Sequence, residues 1–135
     1  MQLDHIDHVV FTVRDVDITC DFYSRVLHME VITFAGGRKA LQFGQCKINL
    51  HQYGSELEPK ANHPAPGTQD ICLIAASPMA DVLRDLQRAG VDVLEGPVAR
   101  SGALGTLESV YLRDPDGNLI EIACYAETTG DQKAE

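Results

Sequence analysis

Apolar and β-branched residues fall in short runs along this chain, and the runs change period in a repeating order. Ile6-Asp7-His8-Val9-Val10-Phe11-Thr12-Val13 predicts a first strand. Phe22, Tyr23, Val26 and Leu27 then recur at helical spacing, behind Asp15 or Asp17, either of which suits a helix N-cap. Met29 to Phe34 and Lys39 to Phe43 predict two strands joined across Gly36-Gly37, and Lys47 to Tyr53 a third after the turn at Gly44. The order is strand, helix, three strands. Residues 55–67 then turn to Ser, Glu, Pro, Asn and Gly, with Pro59, Pro64 and Pro66, and predict a linker.

Beyond the linker the same order returns. Gln69 to Ala75 predicts a strand, and Ser77-Pro78 opens a helix with Val82, Leu83, Leu86 and Ala89 on one face and Gly90 at its end. Val91 to Leu94 is expected as a strand, and Gly96 to Gly105 as a glycine-containing loop. Leu107 to Leu112 and Leu119 to Tyr125 predict a hairpin closed by Asp114-Pro115-Asp116-Gly117. There proline sets φ, Asp116 is expected to hydrogen-bond nearby backbone, and Gly117 accepts positive φ. Residues 127–135 read as a loosely ordered polar tail.

The halves align residue by residue. Asp7-His8-Val9-Val10-Phe11 lies over Gln69-Asp70-Ile71-Cys72-Leu73, and Ile48-Asn49-Leu50-His51-Gln52-Tyr53 over Ile120-Glu121-Ile122-Ala123-Cys124-Tyr125. His8 thereby matches Asp70, and Asn49 matches Glu121. Such a repeat implies two similar modules, about 5–54 and 68–126, around a pseudo-twofold axis. Glu121 stands between two isoleucines in an apolar strand, where an unpaired charge would cost several kcal/mol. A metal ion is its most economical partner.

Composition narrows the function classes. The 135 residues suit one domain of about modal size. A formal charge of -9 opposes nucleic-acid binding, which needs a basic face. No apolar run approaches the roughly 20 residues that span a bilayer, so a cytoplasmic protein without membrane partners is expected. Cys20, Cys46, Cys72 and Cys124 lack metal-type spacing and are expected as free thiols serving as small core residues.

Three segments together resemble the vicinal oxygen chelate superfamily, which includes glyoxalases, bleomycin-resistance proteins and dioxygenases. They are Ile6-Asp7-His8-Val9-Val10, the helix with Phe22-Tyr23 and Leu27, and Asp114-Pro115-Asp116-Gly117-Asn118-Leu119-Ile120-Glu121. The chain is most similar to small glyoxalase-domain and bacterial virulence-associated members. The resemblance implies an α+β fold of two tandem βαβββ modules forming a cup-shaped mixed sheet, with a single domain over residues 1–126. It further implies a divalent metal held by His8, Asp70 and Glu121, with Asn49 at the position of a fourth ligand. Two carboxylates favour Mn, Mg, Fe or Ni over Zn.

His51 faces the same side of its strand as Asn49; it is expected to complete the metal site, serve as a base or hydrogen-bond a substrate. Alternation puts Thr12, Cys72 and Tyr125 along the pocket, with Cys72 expected as a buried, inert thiol and Arg100 as a lid or anion contact. The implied activity is glyoxalase-like lyase or isomerase chemistry on a small molecule with vicinal oxygens, with Glu121 or His51 moving the proton. An extradiol-type dioxygenase and a non-catalytic binding or resistance protein remain as alternatives. A homodimer is expected.

Overall fold

The two halves fold into two four-stranded sheets of the same strand order. In a computed structural model, described over residues 1–126, β1 (His8–Val13), α1 (Val16–Leu27), β2 (Glu30–Phe34), β3 (Arg38–Phe43) and β4 (Cys46–Gln52) come first. They are followed by β5 (Asp70–Ile74), α2 (Met79–Arg88), β6 (Glu95–Ser101), β7 (Thr106–Arg113) and β8 (Leu119–Tyr125). The sheets run β1-β4-β3-β2 and β5-β8-β7-β6, which is the tandem βαβββ arrangement of an α+β fold. In each, the first strand pairs in parallel with the last and the other pairs are antiparallel. The parallel ladders carry the repeat in register. His8 lies opposite Lys47 and Val10 opposite Asn49, as Asp70 lies opposite Leu119 and Cys72 opposite Glu121.

The chain divides into two compact units, Met1–Gln69 with Asp114–Asn118, and Asp70–Arg113 with the chain from Leu119 onward. In the first, Asp15 is the residue that caps α1, its carboxylate accepting from the Asp17 and Ile18 amides at 2.9 and 3.1 Å. The helix buries Cys20, Tyr23 and Val26, and Tyr23 meets Phe11 edge-on at 6.5 Å. Phe11, Val13, Leu41 and Ile48 are buried on the strands. Each such apolar side chain contributes about 1.5–3 kcal/mol. Strand alternation therefore commits the opposite face, with His8, Val10, Thr12, Lys47, Asn49 and His51, to point away from that core.

The turn Asp114–Asn118, although it joins β7 to β8, is buried in the first unit. Asp114 organises it: Oδ1 accepts from the amides of Asp116 and Asn118, both at 2.9 Å, and Oδ2 from Asn118 Nδ2 at 2.8 Å and Tyr23 Oη at 2.6 Å. Asp116, expected to bind the turn's own backbone, instead accepts from the Arg14 amide at 3.1 Å. Asn118 Oδ1 accepts from the Gln69 amide at 2.9 Å. Gly67 has φ +76°, and a Cβ there would lie 2.7 Å from the Asp116 carbonyl oxygen, so the close approach requires glycine.

In the second unit α2 buries Met79, Val82 and Leu86, and Val110, Leu112, Ile120 and Ile122 are buried on β7 and β8. Here two expectations are corrected. Residues 91–94 form no strand, and the presumed loop from Gly96 contains β6 instead. β6 is an edge strand with a register shift between Glu95 and Val98, and edge positions and bulges are where a sheet tolerates proline and glycine. Gly96 also lies against β7, where a Cβ would sit 2.3 Å from the Ser109 carbonyl oxygen. The cysteines are free, but only Cys20 is buried. The polar tail at 127–135 lies outside the described residues.

Burial, and then the adjacent Asp114 carboxylate, raise the Tyr23 phenol above its ordinary value of 10.0. The unfolded chain therefore releases this proton first as pH rises, and the stabilisation is lost above about pH 10. Tyr23→Phe is expected to cost about 1 kcal/mol at pH 7 and to flatten the alkaline loss, while Asp114→Ala costs about 3 kcal/mol by orphaning several buried donors. Urea unfolding of both variants between pH 7 and 11 measures this.

Candidate functional site

Each sheet presents polar side chains on the face away from its helix. On the first, Asn49 and His51 are both only 6 % exposed although they are polar. Asn49 Oδ1 is buried without a hydrogen-bond partner. Thr12 and His51 line a cavity of about 270 Å³ whose other wall is the linker, including Lys60, His63 and Gln69. His63 is exposed, yet it shares this cavity with His51.

His8 opens β1 at the rim of the same face. Its Nδ1 lies 2.8 Å from Asp7 Oδ1, and that hydrogen bond is the main reason the Asp7 carboxyl is held below its ordinary value. A histidine bound this way through Nδ1 leaves Nε2 for a ligand, and a carboxylate behind the ring makes it a better donor.

The second sheet bears the two carboxylates. Asp70 and Glu121 line a concavity of about 500 Å³ with Leu94, Glu95, Arg100, Tyr111 and Arg113. Arg100, placed on β6 and not in a loop, donates from Nε to Tyr111 Oη at 3.0 Å and pairs through Nη2 with Glu95 at 3.2 Å. Burial raises the Tyr111 phenol; Arg100 offsets this in part, and the charge of Glu121, its cross-strand neighbour, adds to the rise. Tyr125 points its hydroxyl elsewhere, accepting from the Leu104 amide at 3.2 Å.

Cys72, expected to be buried, is exposed on β5 opposite Glu121. Its thiol is nonetheless pushed up to about 11, first by local burial of the sulfur and then by the Glu121 charge, which disfavours a second anion.

These placements assign His8, Asn49, His51 and Thr12 to the first unit and Asp70, Cys72, Arg100, Glu121 and Tyr125 to the second. Among the described residues, no three His, Cys, Asp or Glu side chains are gathered in a way that could hold a metal ion. As a donor set, the imidazole of His8 and the carboxylates of Asp70 and Glu121 are chemically suited to a divalent first-row metal or Mg.

Comparison with known proteins decides the family. The model of the Glyoxalase/Bleomycin resistance protein/Dioxygenase superfamily matches residues 5–122. The chain belongs to that superfamily. It is 52% identical to virulence protein STM3117 of Salmonella typhimurium over 93% of this chain and 87% of the relative. The crystal structure of that protein superposes with a TM-score of 0.92, covering 93% of this chain and 100% of the other. Glyoxalase domain-containing protein RDO1 of Mycosarcoma maydis is 53% identical over 90% of this chain and 69% of its own length. A more distant relative is metallothiol transferase FosB of Staphylococcus epidermidis, 25% identical over 90% of this chain and 82% of the relative.

The polar face of the first sheet and the linker also carry residues that local pattern did not single out. Arg38 and Lys47 share the open face of the first sheet, both against the ring of Phe34. Alternation from Asn49 would have placed Lys47 there. Arg38 reaches the face only through the β3–β4 register, and Lys60 and His63 only through the path of the linker.

In chelator-treated protein, Cys72 is expected to alkylate slowly at pH 7.5 despite its exposure, with a rate midpoint near 11 that falls in Glu121→Gln. Peptide mass spectrometry after iodoacetamide treatment resolves this thiol from Cys46 and Cys124.

Proposed function

We propose that this protein is a divalent-metal-dependent, glyoxalase-like enzyme of the lyase or isomerase type, acting on a small substrate with two neighbouring oxygens. The observation that supports it most is the matched register of the two sheets. It sets His8 and Asp70 at one equivalent position, and Asn49 and Glu121 at another, always on the face opposite the helix. In this reading His8, Asp70 and Glu121 hold the metal, Asn49 adds a weak oxygen donor, and Asp7 orients His8. When bound, the metal supplies a Lewis acid for the substrate's paired oxygens.

The protein's own side chains would do the rest. Glu121 is the candidate for proton transfer; Tyr111 stands opposite it on β7, and Arg100 in turn fixes the Tyr111 hydroxyl. His51 lies in the first-unit cavity and is the alternative base. Val10, Thr12 and the linker prolines keep that cavity partly apolar, which suits a small organic molecule.

We also infer a homodimer in the cytoplasm. β1 and β5 are each one of the two edge strands of their sheet, and carry apolar residues that are 40% exposed at Val10 and 52% at Ile74. An unprotected edge of this kind favours pairing with another chain.

Elemental analysis and calorimetry with Mn, Ni, Zn, Fe(II) and Mg test the metal reading. Stoichiometric binding is expected, weakened in Glu121→Ala by more than the roughly 10–100-fold typical of losing an outer partner, and about tenfold in Asp7→Ala. Undiminished binding in Glu121→Ala would refute the assignment. Turnover of α-hydroxycarbonyl or thiohemiacetal substrates by the loaded protein separates an enzyme from a binding protein, and oxygen uptake with catechols reveals a dioxygenase.

A further inference from the structure

We propose that the open face of the first sheet carries an oxyanion clamp made of Arg38 and Lys47, so that the ligand of this protein bears a small carboxylate or phosphate-like group. The ring of Phe34 holds both cations, with the Arg38 guanidinium carbon 4.8 Å and the Lys47 Nζ 4.0 Å from its centroid. The ring attracts each cation, but it does not cancel their mutual repulsion.

The chain has 20 acidic and only 11 basic residues, so carboxylates to neutralise a cation are abundant. Arg14, Arg25, Lys60, Arg84 and Arg100 all have one within ion-pair distance. Among the described residues Arg38, Lys39, Lys47 and Arg88 have none, and of these only Arg38 and Lys47 converge on one ring. Lys47 acts on Asp7 only through its longer-range field, and Arg38 Nε is buried without a partner. Glu30 stands in the row of Lys47 with Gln42 between them, about 10 Å from it between backbones, and four positions along β2 from Phe34, outside ion-pair distance of either cation.

A third uncompensated group lies between the two cations. Asn49 pairs with Ala40, so Lys47 stands two positions along β4 from it and Arg38 two positions from Ala40 along β3. Its buried Oδ1 has no partner within the protein. A buried polar atom left unpaired beside two unpaired cations fits an anion with a hydrogen-bond donor next to the charge. A guanidinium and an ammonium flanking one aromatic ring suit a planar or tetrahedral oxyanion equally.

The proposal deepens the reading of a small-molecule enzyme and rests on it for the role of the ligand, but the clamp itself is measured without metal. Chelator-treated full-length protein is titrated with inorganic phosphate and, separately, with oxalate, while the Arg38 Nε–H and Asn49 side-chain amide resonances are followed by NMR. Saturable shifts of both groups are expected with at least one anion, weakening as chloride is raised. Arg38→Met and Lys47→Met keep the stems on Phe34 and are each expected to weaken binding by about tenfold or more. Arg84→Met, which removes an ion-paired cation on α2, is expected to leave anion binding unchanged. The anion that saturates at lower concentration identifies the group. Shifts that do not saturate with either anion, or wild-type affinity in well-folded Arg38→Met and Lys47→Met, would overturn the clamp. Failure of the wild-type protein to bind any of the metals, with anion binding intact, would overturn only the metal assignment.

Discussion

The Asp114 carboxylate is the interaction on which the rest of the first unit is arranged. It accepts two backbone amides, one side-chain amide and the Tyr23 hydroxyl, with almost no exposure of its own. A buried carboxylate is costly unless its oxygens are satisfied, and here four donors satisfy them. Tyr23 in turn packs against Phe11 on β1, so one network sets the turn, the helix and the strand that carries His8. Asp116 and Asn118 extend it to Arg14 and Gln69, the residues immediately after β1 and immediately before β5. The first strand of each module is thus anchored at one end by the same five-residue turn.

That anchoring has a chemical consequence. With the helix faces buried, alternation leaves the opposite faces to the polar residues, and the two faces differ in character. The first carries histidines, an amide and cations, with Glu30 in the row of Lys47; the second carries Asp70 and Glu121 with Arg100, Tyr111 and Arg113. In a strongly acidic chain the cations kept free of carboxylates mark where negative charge from outside is accommodated. Around Glu121 the Cys72 thiol and Tyr111 phenol hold their protons more tightly, first through their own burial and then through its charge.

Much of the fold was legible from local pattern. The helix under Asp15, the hairpin around Gly117 and the match of His8 with Asp70 all follow from residue periodicity and turn chemistry, which act over a few positions. The errors came where a residue's role depends on a distant partner. Gly96 and Pro97 read as loop because their tolerance in β6 comes from an edge position and from the Ser109 backbone behind Gly96. Cys72 read as core because its run is apolar, while its exposure depends on which strand face it occupies.

By itself the sequence determined the two-module order, the equivalent positions in each module and the residues able to donate to a metal, because these depend on short-range sterics and on hydrophobic alternation. Only the tertiary structure decided that Asp114 and not Asp116 binds the turn, that the linker brings His63 and Lys60 to His51, and that Arg38 joins Lys47 on one ring. Those are contacts between residues far apart in the chain or on separate strands, set by ladder register and by the satisfaction of buried polar groups, which no local pattern encodes.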